Sequence, residues 1–192
     1  MTDASITEKK KTTVKLDTRT ITLIGAMTAV ICIMGPLSFV LPVSPVPISL
    51  GTLAIYFIPY VLGMKRGTIS CLVYLLLGLV GLPVFTGFSS GPAKLLGPTG
   101  GYLIGYIFMA LIGGFVIERT NKIPMCFLGM ILETAVLYLF GTVWLAYQAG
   151  MTFGEALAAG VIPFIPGDIA KIVIALIAGL QIRKRLKKAG LV

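Results

Sequence analysis

Apolar residues run almost unbroken through six stretches of the chain, Thr20–Leu41, Ile48–Met64, Thr68–Leu82, Tyr102–Ile117, Pro124–Leu145 and Asp168–Ile182, with polar, glycine- or proline-rich punctuation between them. A hydrocarbon core about 30 Å thick is crossed by roughly 20 apolar residues of helix. The pattern therefore predicts an all-α membrane protein, a six-transmembrane-helix bundle occupying residues 20–182. Residues 1–19 form a polar, basic N-terminal segment, and residues 183–192 a basic C-terminal tail. The first apolar run exceeds the 7 to 15 residues of a signal-peptide core, which makes it a retained helix.

Composition agrees with the pattern: 57% of residues are hydrophobic, 12% are charged, and the mean hydropathy is +0.99. Soluble domains do not have this balance. The net charge of +9 does not point to nucleic acid, because the basic residues stand in short clusters between apolar runs and not along one polar face. With a cytoplasmic N-terminus, fourteen of the sixteen basic residues fall inside: Lys9, Lys10, Lys11, Lys15, Arg19, Lys65, Arg66, Arg119, Lys122, Arg183, Lys184, Arg185, Lys187 and Lys188. Lys94 alone lies outside, and Lys171 lies within a span. The positive-inside rule then puts both termini in the cytoplasm of a multi-pass protein embedded in the lipid of the cell membrane.

The outer connections, Pro83–Gly101 and Ala146–Gly167, are the long ones. Measured from their cytoplasmic ends, Thr68–Leu82, Tyr102–Ile117 and Asp168–Ile182 all stop short of the outer surface at about 1.5 Å per residue. Non-helical backbone at such depth requires burial in protein or a watery cavity, so a pocket opening outward is expected.

Asp168 and Lys171 carry the strongest chemical signal, since three residues apart on a helix they share a face. Charges within a span are costly and tend to mark a ligand or ion path. The bland alternative has Asp168 capping the helix behind Gly167 and Lys171 reaching outward to the interface. From Thr86 to Tyr102 the chain is rich in glycine and hydroxyls, with Lys94 as its one cation. This segment can fold as a backbone-lined lid, or as an ordinary exposed loop. Its candidate ligand-binding residues are Ser89, Ser90, Gly91, Lys94, Gly97, Thr99, Gly100 and Tyr102.

Glu133 is a further ionisable group within a span, with no counter-charge nearby in sequence, and it receives no role. Trp144 and Tyr147 suit an interfacial belt. On the first helix Gly25, Ala26 and Ala29 allow close approach of another helix, either of this chain or of a partner. Cys32, Cys71 and Cys126 read as small core residues. The chain has no histidine and no G-x-x-x-x-G-K-[ST] loop, which excludes Ser-His proteolysis, histidine metal sites and ATP binding through a P-loop. Few acidic residues lie in or outside the spans, which argues against a carboxylate-rich metal site. Binding or transport is favoured over catalysis. A secondary transporter or channel working as an oligomer, and a membrane-embedded enzyme, remain the rival classes.

Several ordered motifs carry a family resemblance: Pro45-Val46-Pro47-Ile48-Ser49-Leu50-Gly51-Thr52-Leu53, Leu62-Gly63-Met64-Lys65-Arg66-Gly67, Tyr74 through Phe85, Gly97-Pro98-Thr99-Gly100-Gly101-Tyr102, and Phe164-Ile165-Pro166-Gly167-Asp168-Ile169-Ala170-Lys171. Together they resemble the BioY biotin transporter family over nearly the whole chain after its basic start. The resemblance implies a substrate-binding S component of an energy-coupling factor vitamin importer. Biotin would be captured outside, with a transmembrane T component and two ATPase subunits as partners, and with no cofactor of the chain's own. Gly51 stands where that family often has glutamine, and Gly25 with Ala29 approximates its docking pattern. For such a ligand Asp168 would accept from the ureido N–H groups, Lys171 would donate to the ring carbonyl, and the Lys94 segment would meet the valerate carboxylate.

Overall fold

The computed structural model describes residues 17–39, 46–120 and 122–191. Most of the expected basic N-terminal segment, residues 1–16, lies outside the described residues, as does the Leu41 boundary of the first stretch. Helix α1 is Thr18–Met34, followed by a two-residue strand pair, β1 Ser38–Phe39 and β2 Ile48–Ser49, antiparallel with Ser38 opposite Ser49. Then come α2 Gly51–Leu79, α3 Pro92–Leu96, α4 Gly100–Arg119, α5 Ile123–Ala149, α6 Phe153–Gly160, a single 3₁₀ turn Ile162–Phe164, and α7 Ile165–Lys188.

Helix α2 is two rods. Gly63 sits at φ 72° and ψ −165°, a conformation that only glycine adopts cheaply. The chain doubles back there: a Cβ on Gly67 would stand 2.5 Å from Ile58 Cγ2, whereas nine residues of straight helix span about 13 Å. Both ends of α2 accordingly meet the end of α1. A Cβ built at Gly51 would lie 3.2 Å from Gly35 Cα, and one built at Gly35 would lie 2.8 Å from the Tyr74 hydroxyl of the second arm. With α2 counted as two arms, the described residues form six helical rods, α1, 51–62, 64–79, α4, α5 and α7, in an all-α membrane bundle. Helices α2, α4, α5 and the α6–α7 run are long and apolar enough to cross a membrane, and α1 is a shorter apolar helix of 17 residues.

Aromatic and small residues share the core. Tyr56, Tyr60, Tyr74, Phe85, Met109 and Ala110 are buried, and Thr28 on α1 meets Ser70 on α2 through a hydroxyl pair at 2.9 Å. Large apolar side chains such as Ile33, Leu76, Leu128, Leu132, Ile174 and Ile177 point outward, which suits lipid and not water.

The elements differ from expectation in four places. Helix α1 ends at Met34, well before Leu41, because Pro36 has no N–H to continue the ladder and the chain turns into the β1–β2 pair. Helix α4 starts at Gly100 and its 20 residues cover about 30 Å, so it is not a short span. The short rod is the first arm of α2, residues 51–62, at about 18 Å. The long connections also contain structure: α3 in one, α6 and the 3₁₀ turn in the other. Helix α6 is set by a capping box in which Thr152 and Glu155 exchange hydrogen bonds. Those bonds, first the one from the Thr152 backbone, hold the exposed Glu155 carboxyl below its ordinary pKa.

Candidate ligand-binding site

A cavity of about 530 Å³, counting its mouth, lies at the end of the bundle remote from Lys65, Arg66, Arg119 and the Arg183 cluster. That volume falls within the usual range for small-molecule sites, about 300 to 1,000 Å³. Each wall comes from a separate element. The β2 approach supplies Val46, Pro47, Ile48 and Ser49, α2 supplies Thr52, α4 supplies Tyr102, Leu103 and Tyr106, α5 supplies Leu137 and Tyr138, and α7 supplies Asp168 and Lys171. Thr86, Thr99, Gly160 and Phe164 close the rest.

Asp168 and Lys171 form an ion pair, with Nζ 2.9 Å from Oδ1. Lys171 also donates to the Ser49 carbonyl and to Thr52 Oγ1, both at 2.8 Å, so all three ammonium hydrogens have protein acceptors. The other Asp168 oxygen, Oδ2, accepts from the Tyr138 hydroxyl at 2.6 Å. Asp168 is 5% exposed and Lys171 8%. An ionised carboxylate offers about four lone-pair sites, and two remain for a ligand. Asp168 is thus a fixed acceptor on the cavity wall. Lys171, with no hydrogen to spare, positions that acceptor and the β2–α2 corner.

The capping and interface-seeking alternatives do not describe this pair. Helix α7 begins at Ile165, its first turn has no side-chain cap, and the carboxylate of Asp168 turns to Lys171 and Tyr138. Lys171 is buried and bonded inward.

Of the other candidates, Thr99 and Tyr102 line the cavity, the latter donating to the Gly160 carbonyl at 2.9 Å. Ser89, Ser90, Gly91, Lys94, Gly97 and Gly100 do not line it. Their segment is stitched into the scaffold. Ser89 Oγ donates to the Thr86 carbonyl at 2.7 Å, and the Gly97 carbonyl accepts from Trp144 Nε1 at 2.9 Å. Lys94 is half-buried on α3, and that desolvation lowers its pKa. Gly51 abuts Gly35, Ser49 Oγ and the Tyr106 hydroxyl, leaving little room there for a longer side chain. Gly25, Ala26 and Ala29 are exposed on the outer face of α1, and a Cβ on Gly25 would meet nothing within 4 Å.

Sequence reasoning assigned no site role to Ser49, Thr52, Tyr106 and Tyr138. Ser49 and Thr52 stood in a noted motif without a chemical reason. Tyr138 carried no signal at all, because a hydroxyl on α5 acquires its meaning only when α7 packs beside it.

A six-helix membrane bundle with an open-mouthed cavity, one anchored carboxylate and several hydroxyls defines a membrane protein that binds a small, hydrogen-bonding ligand. The chain belongs to the BioY family, whose sequence model matches residues 8–188. It is 37% identical over 177 residues to the biotin transporter BioY of Rhizobium etli, covering 85% of this chain and 92% of that one. The biotin transporter BioY of Thermotoga maritima is 34% identical over 160 residues, covering 83% and 93%. In structure the chain resembles the S-component for biotin from an ECF-type ABC transporter, with a TM-score of 0.81, 32% identity, and coverage of 87% of this chain and 92% of that one.

Proposed function

We propose that this chain is the biotin-binding S component of an ATP-driven energy-coupling factor vitamin importer, with a T component and two ATPase subunits as partners. Its place is the cell membrane, with both termini cytoplasmic and the cavity opening outward, as the distribution of basic clusters on the far end of the bundle supports. The observation that carries the reading is the Asp168 carboxylate, buried, held by Lys171 and Tyr138, and left with acceptor sites facing the cavity.

Biotin presents the complementary groups. Its two ureido N–H groups match the open acceptor sites of Asp168. Val46, Ile48, Leu103, Leu137 and Phe164 offer apolar walls to the fused ring and the valerate chain. Thr86, Thr99 and Tyr106 are the hydroxyls that line the remaining wall, suited to the ring carbonyl and the carboxylate. Lys94, close by on α3, is available to attract the anion before it enters. The absence of a P-loop motif from the sequence accords with ATP being used by partner subunits.

Calorimetry on the purified chain tests the reading. Biotin should bind tightly, whereas lipoate, which has the same valerate chain but no ureido group, should bind at least a hundredfold more weakly. Equal affinity for the two acids would refute the assignment of Asp168 to the ureido group.

A further inference from the structure

At the basic end of the bundle, Ile123 at the start of α5 and Leu180, Arg183, Lys184 and Lys187 on α7 line a depression of about 690 Å³, counting its mouth. Three cations share it with two aliphatic side chains. Arg183 is only 9% exposed, yet its Nη1 reaches the carbonyls of Pro59 and Tyr60 at a long 3.4 Å each, and its buried Nε has no partner among the described residues. Buried guanidinium N–H groups are normally satisfied. The nearby carboxylate of Glu118 already accepts from the Met64 N–H at 2.8 Å, and among the described residues Lys184 and Lys187 make no ion pair. The depression therefore holds more positive charge than the protein neutralises.

Ile123 and Leu180 give the depression an aliphatic wall, and the outer faces of the same two helices carry exposed Leu128, Ile174 and Ile177. We propose that the basic depression binds the phosphate of an anionic phospholipid from the leaflet on that side, with the start of its acyl chains against Ile123 and Leu180. Basic pockets between transmembrane helices suit such headgroups, and a guanidinium fork matches phosphate oxygens. A small soluble anion would satisfy the cations but leave the aliphatic wall unused. This site is separate from the biotin cavity, and its test does not depend on that reading.

The full chain, purified in detergent and offered phosphatidylglycerol or phosphatidylcholine, is examined by native mass spectrometry. The wild type should retain phosphatidylglycerol at least tenfold over phosphatidylcholine. Neutralising two lining lysines in K184Q/K187Q should weaken retention about 30-fold, at roughly fivefold per cation. R185Q/K188Q removes the same charge from exposed positions that do not line the depression, and should change retention less than twofold. A normal melting curve for each variant establishes folding. Equal loss in both double variants would mean diffuse attraction and overturn the proposal. So would displacement of the lipid by millimolar inorganic phosphate, or unchanged lipid retention with loss of co-purifying partner subunits in K184Q/K187Q.

Discussion

Asp168 is useful to a ligand only because two other side chains hold it still, and their removal should have graded effects. Asp168→Asn leaves a donor where ureido N–H groups need an acceptor, and biotin affinity should fall about 30-fold to 1,000-fold. Lys171→Met strands the carboxylate and frees the β2–α2 corner, so affinity and thermal stability should fall together. Tyr138→Phe removes one hydrogen bond to the carboxylate and should cost about tenfold in affinity with little change in melting. Calorimetry and a melting curve on each variant check the series, and unchanged affinity in all three would remove the pair from the site. Glu133 behaves oppositely. It is 1% exposed on α5, neither carboxyl oxygen has a hydrogen-bond partner among the described residues, and the residues beside it are Gly113 and Pro59. An unsatisfied buried polar group costs about 1 to 3 kcal/mol, so Glu133→Met should raise the melting midpoint without altering biotin affinity. At this scale the charged pair was legible in the sequence because spacing alone brings Asp168 and Lys171 together. Tyr138, Ser49 and Thr52 were not, since their partners lie 30, 122 and 119 residues away.

The elements follow from hydropathy and punctuation, and their limits from backbone chemistry that hydropathy does not weigh. Six apolar stretches became six rods, but the break between the second and third is one glycine: Gly63 makes the reversal, and Glu118 accepts the hydrogen of Met64 just after it. Alanine at 63 would force a side chain into a left-handed φ and against the Glu118 carboxylate. Gly63→Ala should therefore destabilise the protein by about 1 to 3 kcal/mol, while Gly154→Ala, on an exposed surface with open space around it, should be silent. Denaturation in matched detergent compares the two. The α6 capping box, Thr152-Phe153-Gly154-Glu155, was readable as a motif but fell inside what hydropathy marks as a connection. Helix α3, only five residues behind Pro92, has no periodicity long enough to read. In the segment between Thr86 and Tyr102 the carbonyls of Leu96 and Gly97 accept from Gln148 and Trp144 of α5, a tie between loop and helix that the sequence does not signal.

For the whole molecule the proposed arrangement predicts a clear labelling pattern. Single cysteines at positions 90 and 155 should react with an impermeant reagent on intact cells, and those at 65 and 187 only after permeabilisation. The reverse pattern would invert the topology. The exposed small face of α1 predicts a second division: Gly25→Leu or Ala29→Leu should reduce uptake by the assembled transporter, while the isolated chain keeps its biotin affinity, because neither residue packs the chain's own core. Loss of binding with intact assembly would reverse that assignment. The last rod has one more consequence, which belongs to synthesis. Lys171 fastens α7 to Ser49 and Thr52, groups made more than a hundred residues earlier. In chain order both charges of the site thus come in α7, after the carbonyl, the hydroxyls and Tyr138 that receive them. Two charges that would each cost about 2.5 to 3.5 kcal/mol in bare lipid enter beside waiting partners, and a nascent chain halted before Ile165 would be a bundle with hydroxyls but no carboxylate, inserted and unable to recognise its vitamin.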